Sequence, residues 1–334
     1  MSELRQNIAT KEWYVIASDR AKRPKDFKHK KPQREDFAHS EKCPFCPGNE
    51  HKTPPAHYVL EHDGKWLVRV VDNKFPAFKP EGGRKRTVEG IYRKMDGVGY
   101  HEVIIESSLH NDHYTKMSLP HLESIIQTYL LRYKKAMEDE RIEAVILFKN
   151  YGPSAGCSLA HPHAQMIAIP VVPLHMRGRL DNAKRYCDDT GNCVFCVMMN
   201  DEDKERVRVV TENDSFIAFC PYASGAPFET WIMPRRHEPD FRNITDSEIK
   251  DLAWIMKDLF SKYYFGLNDP DFNFAIKSPP RDESNDRSFH WYIKVMPKIS
   301  KVAGFEMGSG MYINCTLPEL NAEFLRNVEV PATV

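Results

Sequence analysis

The 334-residue chain has no excess of charge of either sign, since Lys+Arg and Asp+Glu both number 47. Neutralising phosphates with Lys and Arg supplies most of the affinity of a nucleic-acid binder, so no nucleic-acid partner is expected. No run of about 18 apolar residues exists, so no membrane-spanning helix is expected. The first residues, MSELRQNIATKEW, hold no apolar leader core, and a cytoplasmic location with reduced thiols is the expectation. A composition of 41% apolar and 28% charged residues excludes a disordered or collagen-like chain. The length suits roughly two domains at about 150 residues each.

What the chain does hold is eight cysteines and fourteen histidines. Four cysteines form two Cys-x-x-Cys pairs, Cys43/Cys46 and Cys193/Cys196, each with Phe before the second cysteine. In a reducing compartment such pairs point to metal, with a redox dithiol or ordinary buried thiols as the competing readings.

The surroundings of the two pairs repeat. After the first come strand-like runs at 66–71 and 102–106, then His110. Helical spacing follows in Leu122, Ile125, Ile126, Tyr129, Leu130, Tyr133 and Met137, with Ser118 placed to cap it. A buried strand at 144–148 and a turn-rich loop at 150–160 lead into His161. After the second pair come strands at 215–220 and 229–233, then His237. The capping-box pattern Thr245-Asp-Ser-Glu248 opens a helix, and a strand at 272–276 and a polar loop lead into His290. His110 and His161 are 51 residues apart, and His237 and His290 are 53 apart. The glycine- and charge-rich stretch 79–97 reads as a mobile loop that lengthens the first copy.

Two thiolates and two imidazoles suit a tetrahedral zinc ion, with each thiolate pair held by a reverse turn. The expected ligands are Cys43, Cys46, His110 and His161 at one site, and Cys193, Cys196, His237 and His290 at the other. Four protein ligands leave no open position, so both zinc ions would be structural. His113 is an alternative to His110, and iron is the competing metal. Cys157, Cys187, Cys220 and Cys315 read as buried or incidental thiols.

The strongest chemical pattern is His161-Pro-His163-Ala-Gln165. In an extended segment alternate residues share a face, so His161, His163 and Gln165 point the same way. A neutral imidazole at His163 can attack phosphorus and form a covalent phospho-imidazole. Gln165 can donate to a phosphoryl oxygen as charge develops. The upstream loop Gly152-Pro-Ser-Ala-Gly156-Cys-Ser158 offers backbone N–H groups and a hydroxyl to a diphosphate. The competing reading is a structural histidine pair at a metal site.

These motifs, with Ala21-Lys-Arg-Pro24, Asn73 and Pro227-Phe-Glu229, resemble the galactose-1-phosphate uridylyltransferase family. That family is the transferase branch of the histidine-triad superfamily, and the resemblance runs from about residue 13 to 328. It implies an α+β fold, a tandem duplication of a histidine-triad-like half-barrel of antiparallel sheet and helices, packed as a pseudo-dimer. Residues 1–175 would form the catalytic repeat with the first zinc site. Residues 188–328 would form the second repeat, with the other zinc site and a sugar-binding tail.

The resemblance implies an enzyme that acts on a nucleotide sugar and a sugar 1-phosphate, or phosphate, in ping-pong fashion through a nucleotidyl-His163. Gln165 would orient the phosphate. Asn150, Gly156 and Ser158 match phosphate-side positions, and Arg20, Arg23 and Asn73 match nucleotide-side positions. Glu306 would accept from a sugar hydroxyl. The resemblance also admits a homodimer. UDP-glucose and galactose 1-phosphate are the first expectation for the substrates. Lys74 follows Asn73 where the better-known uridylyltransferases have an acidic residue, and the tail 304–314 and the doubled Cys-x-x-Cys also resemble ADP-glucose phosphorylases, which transfer AMP. Tyr292 stands where the first repeat has His163, so the second repeat should be inert.

Overall fold

The structure, a computed structural model, describes residues 2–17, 34, 36–284 and 286–331. Arg20 and Arg23 lie outside the described residues. The first repeat runs through β1 (Glu3–Gln6), β2 (Trp13–Ile16), β3 (Ala56–His62), β4 (Lys65–Asp72), β5 (Thr87–Glu89), β6 (Tyr92–Lys94) and β7 (Tyr100–Ile105). It continues with α1 (Leu119–Met137), β8 (Ala144–Tyr151) and β9 (His163–Ile169). Then follow α2 (Leu174–Thr190), α3 (Val194–Glu205), β10 (Val209–Glu212), β11 (Phe216–Phe219) and β12 (Thr230–Pro234). The chain ends with α4 (Asp246–Gly266), β13 (Phe272–Lys277), β14 (Tyr292–Pro297), α5 (Gly304–Ser309), β15 (Tyr312–Asn314) and α6 (Pro318–Arg326).

Ten strands form one sheet in the order β10-β11-β12-β14-β13-β8-β9-β7-β4-β3. Every pairing in it is antiparallel. Each half lays its first three strands side by side, then its fifth, then its fourth. The two fourth strands, β8 and β13, meet at the centre, pairing Asn150 with Asn273 and Phe148 with Ala275. The duplication expected from the motif spacing is therefore the plan of the sheet.

Period-two alternation divides the sheet into two faces. Ala164, Met166 and Ala168 of β9 join Ile125, Tyr129, Ile255 and Leu259 of α1 and α4 in one core shared by both halves. Ser118 caps α1 by accepting the His121 N–H at 3.3 Å, and Thr245 and Glu248 close a capping box at the head of α4. Caps of this kind contribute about 1 kcal/mol each. On the opposite face the second half is covered by α2 and α3, whose Leu180 and Phe195 pack on Trp231 and Tyr292. Among the described residues the corresponding face of the first half is covered only in part, by the Cys43–Cys46 segment against Val71, Val103 and Ile105.

Two expectations change. The stretch 79–97 contains a hairpin, β5 and β6, pairing Glu89 with Tyr92. Gly90 at φ +63° supplies the first position of its two-residue turn, which a side chain would disfavour. The second Cys-x-x-Cys is not held in a reverse turn. Cys193 is the residue before α3 and Cys196 lies in its first turn, with the Val197 N–H donating to the Cys193 carbonyl. Among the described residues no helix is long and apolar enough to cross a membrane.

Candidate active site and metal centres

Cys43, Cys46, His110 and His161 converge as four buried side chains whose ligand atoms lie within 4.8 Å of one another. The Cys46 Sγ is 3.4 Å from His110 Nδ1 and 3.6 Å from His161 Nδ1, and Cys43 Sγ is 3.7 Å from His161 Nδ1. A tetrahedron with metal–sulfur and metal–nitrogen distances of about 2.3 and 2.0–2.1 Å has sulfur–nitrogen edges of about 3.6 Å. The donor set and its spacing thus fit a metal ion. His161 Nε2 faces the Ser107 carbonyl at 2.7 Å, so the proton resides there and Nδ1 presents its lone pair to the thiols. Burial pushes the His161 imidazole down to about 3, which keeps it neutral. His110, not His113, occupies this cluster; His113 stacks on Tyr264 at 4.7 Å.

Cys193, Cys196, His237 and His290 form a second group of the same kind. Cys196 Sγ lies 3.1 Å from His237 Nδ1 and 3.3 Å from His290 Nδ1. This group is less enclosed, with His237 exposed and Cys196 half-buried. His290 Nε2 is buried without the carbonyl partner that His161 has.

Immediately after His161, β9 begins with His163, which is 7% exposed. Its Nδ1 meets the His161 carbonyl at 2.8 Å. A carbonyl can only accept, so Nδ1 carries the proton and Nε2 keeps its lone pair. Burial holds the ring below the usual histidine range, hence neutral. The group that orients the His163 ring is thus the backbone carbonyl of His161, one of the four candidate metal ligands.

Gln165 lies one strand alternation further along the same face. The Ala77 N–H donates to His101 Nδ1 at 3.2 Å, so His101 Nε2 carries the proton and donates to Gln165 Oε1 at 2.9 Å. Asn73 reaches the same oxygen from 3.5 Å. With its oxygen clamped, the Gln165 amide turns its two N–H donors away from His101. His101 was not anticipated from sequence. It sits two residues before Val103, the partner of Gln165 across β7 and β9, and only the strand register brings it within reach.

Under His163 lies a second unanticipated group. Lys149 donates to the His163 carbonyl at 3.3 Å and to Glu106, which also accepts from Tyr114 at 2.7 Å and from Tyr129. Glu106 is fully buried and Lys149 nearly so. Breaking such a pair by removing one partner costs about 3–5 kcal/mol.

Asn150 lies on β8, two positions beyond the Phe148–Gln165 pair and so alongside His163. Its Oδ1 accepts from Asn273 at 2.8 Å. The loop 152–158 is anchored by the second repeat: Asp271 accepts the Ser154 N–H at 2.6 Å, and Asn273 donates to the Ala155 carbonyl at 2.8 Å. Gly152 and Gly156 hold φ of +83° and +85°, and a Cβ at Gly152 would fall 1.9 Å from an Asp271 oxygen. Gly156 and Ser158 are exposed at the end of this loop. Glu306 is not gathered into the cluster around His163. Its carboxylate accepts the Ala303 N–H at 3.0 Å, at the rim of a cavity that also reaches Asn150.

Residues 1–173 match the galactose-1-phosphate uridyl transferase N-terminal domain, and residues 179–330 match the C-terminal domain of the same family. The chain is 36% identical to an ADP-glucose phosphorylase of Arabidopsis thaliana, across 98% of this chain and 93% of that one. It is 26% identical to a galactose-1-phosphate uridylyltransferase of Thermotoga maritima, across 99% of both. A crystal structure of an Arabidopsis thaliana ADP-glucose phosphorylase with bound ADP-glucose superposes with a TM-score of 0.84 at 31% identity, covering 99% of this chain and 100% of that one.

Proposed function

This chain belongs to the galactose-1-phosphate uridyl transferase family of nucleotidyltransferases, and from that premise we propose that it moves a nucleoside monophosphate from a nucleotide sugar through His163. The observation that carries the reading is the state of His163. It is neutral, its Nδ1 proton is committed to the His161 carbonyl, and its Nε2 lone pair is free. Nε2 attacks the α-phosphorus of the nucleotide sugar, and the bond from that phosphorus to the sugar-bearing phosphate breaks. A sugar 1-phosphate leaves and the nucleotide stays on Nε2. An oxygen of phosphate or of a second sugar 1-phosphate then attacks the same phosphorus and releases the imidazole. In both steps Gln165 donates to a non-bridging oxygen. A single pre-aimed donor of this kind contributes a factor of about 10²–10³ in rate. Asn150, Gly156 and Ser158 hold the phosphates, while Asn73, with Arg20 and Arg23, serves the nucleotide side.

The donor we propose is ADP-glucose, with phosphate as acceptor. Identity to the adenylyl-transferring relative is 36%, against 26% to the full-length uridylyl-transferring one. UDP-glucose with galactose 1-phosphate, the first expectation from sequence, is the competing donor and acceptor. Zinc is the metal we propose at both Cys₂His₂ groups, in a structural role. At the first group it would lock His161, and through the His161 carbonyl the ring of His163. It takes no part in bond making.

The test is transfer of label from ADP-glucose or UDP-glucose carrying ³²P at the α-phosphorus. The expected product is acid-labile, base-stable label on the protein, from the adenine donor and not from the uridine donor. Label that persists in His163→Ala would reject the nucleophile. No label from either donor would reject the reading.

A further inference from the structure

The face that carries His163 continues across the central seam into the second repeat. There it borders a cavity of about 410 Å³. Its wall runs from Asn150 and Asn273 to Lys277, Lys294, Arg179 and Glu229. The duplication gives these residues counterparts. Tyr292 follows His290 as His163 follows His161, and Lys294 stands where the first repeat has Gln165. Lys277 pairs with Tyr292 across β13 and β14. Continuing the β8–β9 register two residues past its last pair, Phe148–Gln165, sets Asn150 in that relation to His163. The second repeat therefore carries ammonium groups at the two positions where the first carries side-chain amides. Its counterpart of the nucleophile is a fully buried phenol, stacked flat on Trp231 with ring centroids 4.2 Å apart.

The cations of this cavity are incompletely answered. Glu229 pairs with Lys294 at 2.8 Å and accepts the Trp231 indole N–H at 2.9 Å. Among the described residues Arg179 has only long polar contacts, to Glu12 at 3.6 Å and to the Tyr292 hydroxyl at 3.5 Å, and its Nε is buried without an acceptor there. Lys277 makes no ion pair or hydrogen bond among the described residues. Burial, and then repulsion from Arg179 and Lys294, pushes its ammonium down to about 8. Counted over the whole lining, five cations (Arg179, Lys277, Lys294, Lys298 and Lys301) face three carboxylates (Glu12, Glu229 and Glu306), and with the Arg179 and Lys277 donors left without close acceptors among the described residues the cavity is short of anionic partners.

We propose that this cavity binds a phosphate group, free or as a phosphomonoester of a small sugar, between Lys277, Lys294 and Arg179, and does not react with it. Ammonium and guanidinium groups make their strongest hydrogen bonds to such oxygens. Lys294 lies three strand spacings from β9, about 14 Å at ordinary sheet geometry. A phosphate held there is therefore not the one transferred at His163.

The test uses the full chain carrying His163→Ala, so that binding is read without transfer. Inorganic phosphate and glucose 1-phosphate are titrated separately by calorimetry, with ³¹P NMR as a second readout. The expected result is a phosphate site weakened tenfold or more by Lys277→Met and changed less than twofold by Lys277→Arg. Should Lys277→Met melt early, Lys294→Gln, which installs the amide of the first repeat, carries the same expectation. A Lys277-sensitive site for inorganic phosphate assigns the free anion, and one for glucose 1-phosphate alone assigns the ester; either supports the proposal. Unchanged affinity and stoichiometry for both probes in the lysine variants would overturn it, as would binding of neither probe by the parent. The outcome is independent of the labelling test, which reads only His163.

Discussion

The two halves of the sheet lay their strands in the same order, and the contrast that bears on chemistry lies at a few side chains on one face. In the first, residues 163 and 165 are an imidazole and an amide on a face that the described residues cover only in part. In the second, the equivalent positions are Tyr292 and Lys294, and Phe195, Trp231 and Leu180 fill the space above the phenol. Both copies keep a Cys₂His₂ cluster. Both halves thus share a geometry that fits a metal ion, and we propose that they differ in reactivity through the residues at these two positions and through what covers them. Helices α2 and α3 cover the second copy, and among the described residues the first repeat has no counterpart to them.

This contrast can be broken or sharpened by experiment. The largest effect is expected for His163→Ala, which should lower nucleotidyl labelling to background while leaving the thermal melt near that of the parent. Next comes metal removal. Each chain should yield about two zinc ions on elemental analysis, and a structural site can supply on the order of 10 kcal/mol of folding free energy. A chelator should strip the second site first, because His237 is exposed and Cys196 half-buried while all four ligands of the first are buried. Metal release followed by a chromogenic chelator, in Cys196→Ser against Cys43→Ser, reads that order. Simultaneous loss would mean that the two sites are equivalent.

Gln165→Ala should lower the transfer rate by about 10²–10³. His101→Ala should lower it by a smaller factor, because the amide remains but is no longer clamped. Equal losses in single-turnover kinetics would show that the clamp, not the donor, is the essential element. Phe195→Ala should cost about 3–5 kcal/mol of stability, measured by denaturant melts, with transfer by the remaining folded protein unchanged. The smallest effect is expected for Tyr292→His. It restores the imidazole but not the amide or the opening, so no label should appear at that position by peptide mapping. Label there would show that the residue alone separates the halves.

Much of this was legible in the chain. The paired motifs and near-equal histidine spacings announced the duplication, since a metal site needs its ligands at fixed places in the strand order. His-Pro-His-Ala-Gln marked the segment that we propose as reactive, since alternation alone places His163 and Gln165 on one face. What was not legible depended on register or tertiary packing. His101 reaches Gln165 only because β7 and β9 pair as they do. Lys149 of β8 and Glu106, the residue after β7, meet under His163, and a lone charged residue in an apolar run gives no hint of its partner. The hairpin at 87–94 was hidden by the glycines and charges around it, although Glu89-Gly90 carried the turn chemistry. Helix α3 was hidden because its first turn is also a metal loop.

The central seam has one more consequence. Asp271 and Asn273, residues of the second half, clasp the loop and the asparagine that we propose serve phosphate in the first. A fragment ending after β9 would lose that clasp and leave β8 as a bare edge inviting the strands of other molecules. One half thus serves as structural support for the other, and the two are held to each other by more than the backbone ladder at the seam.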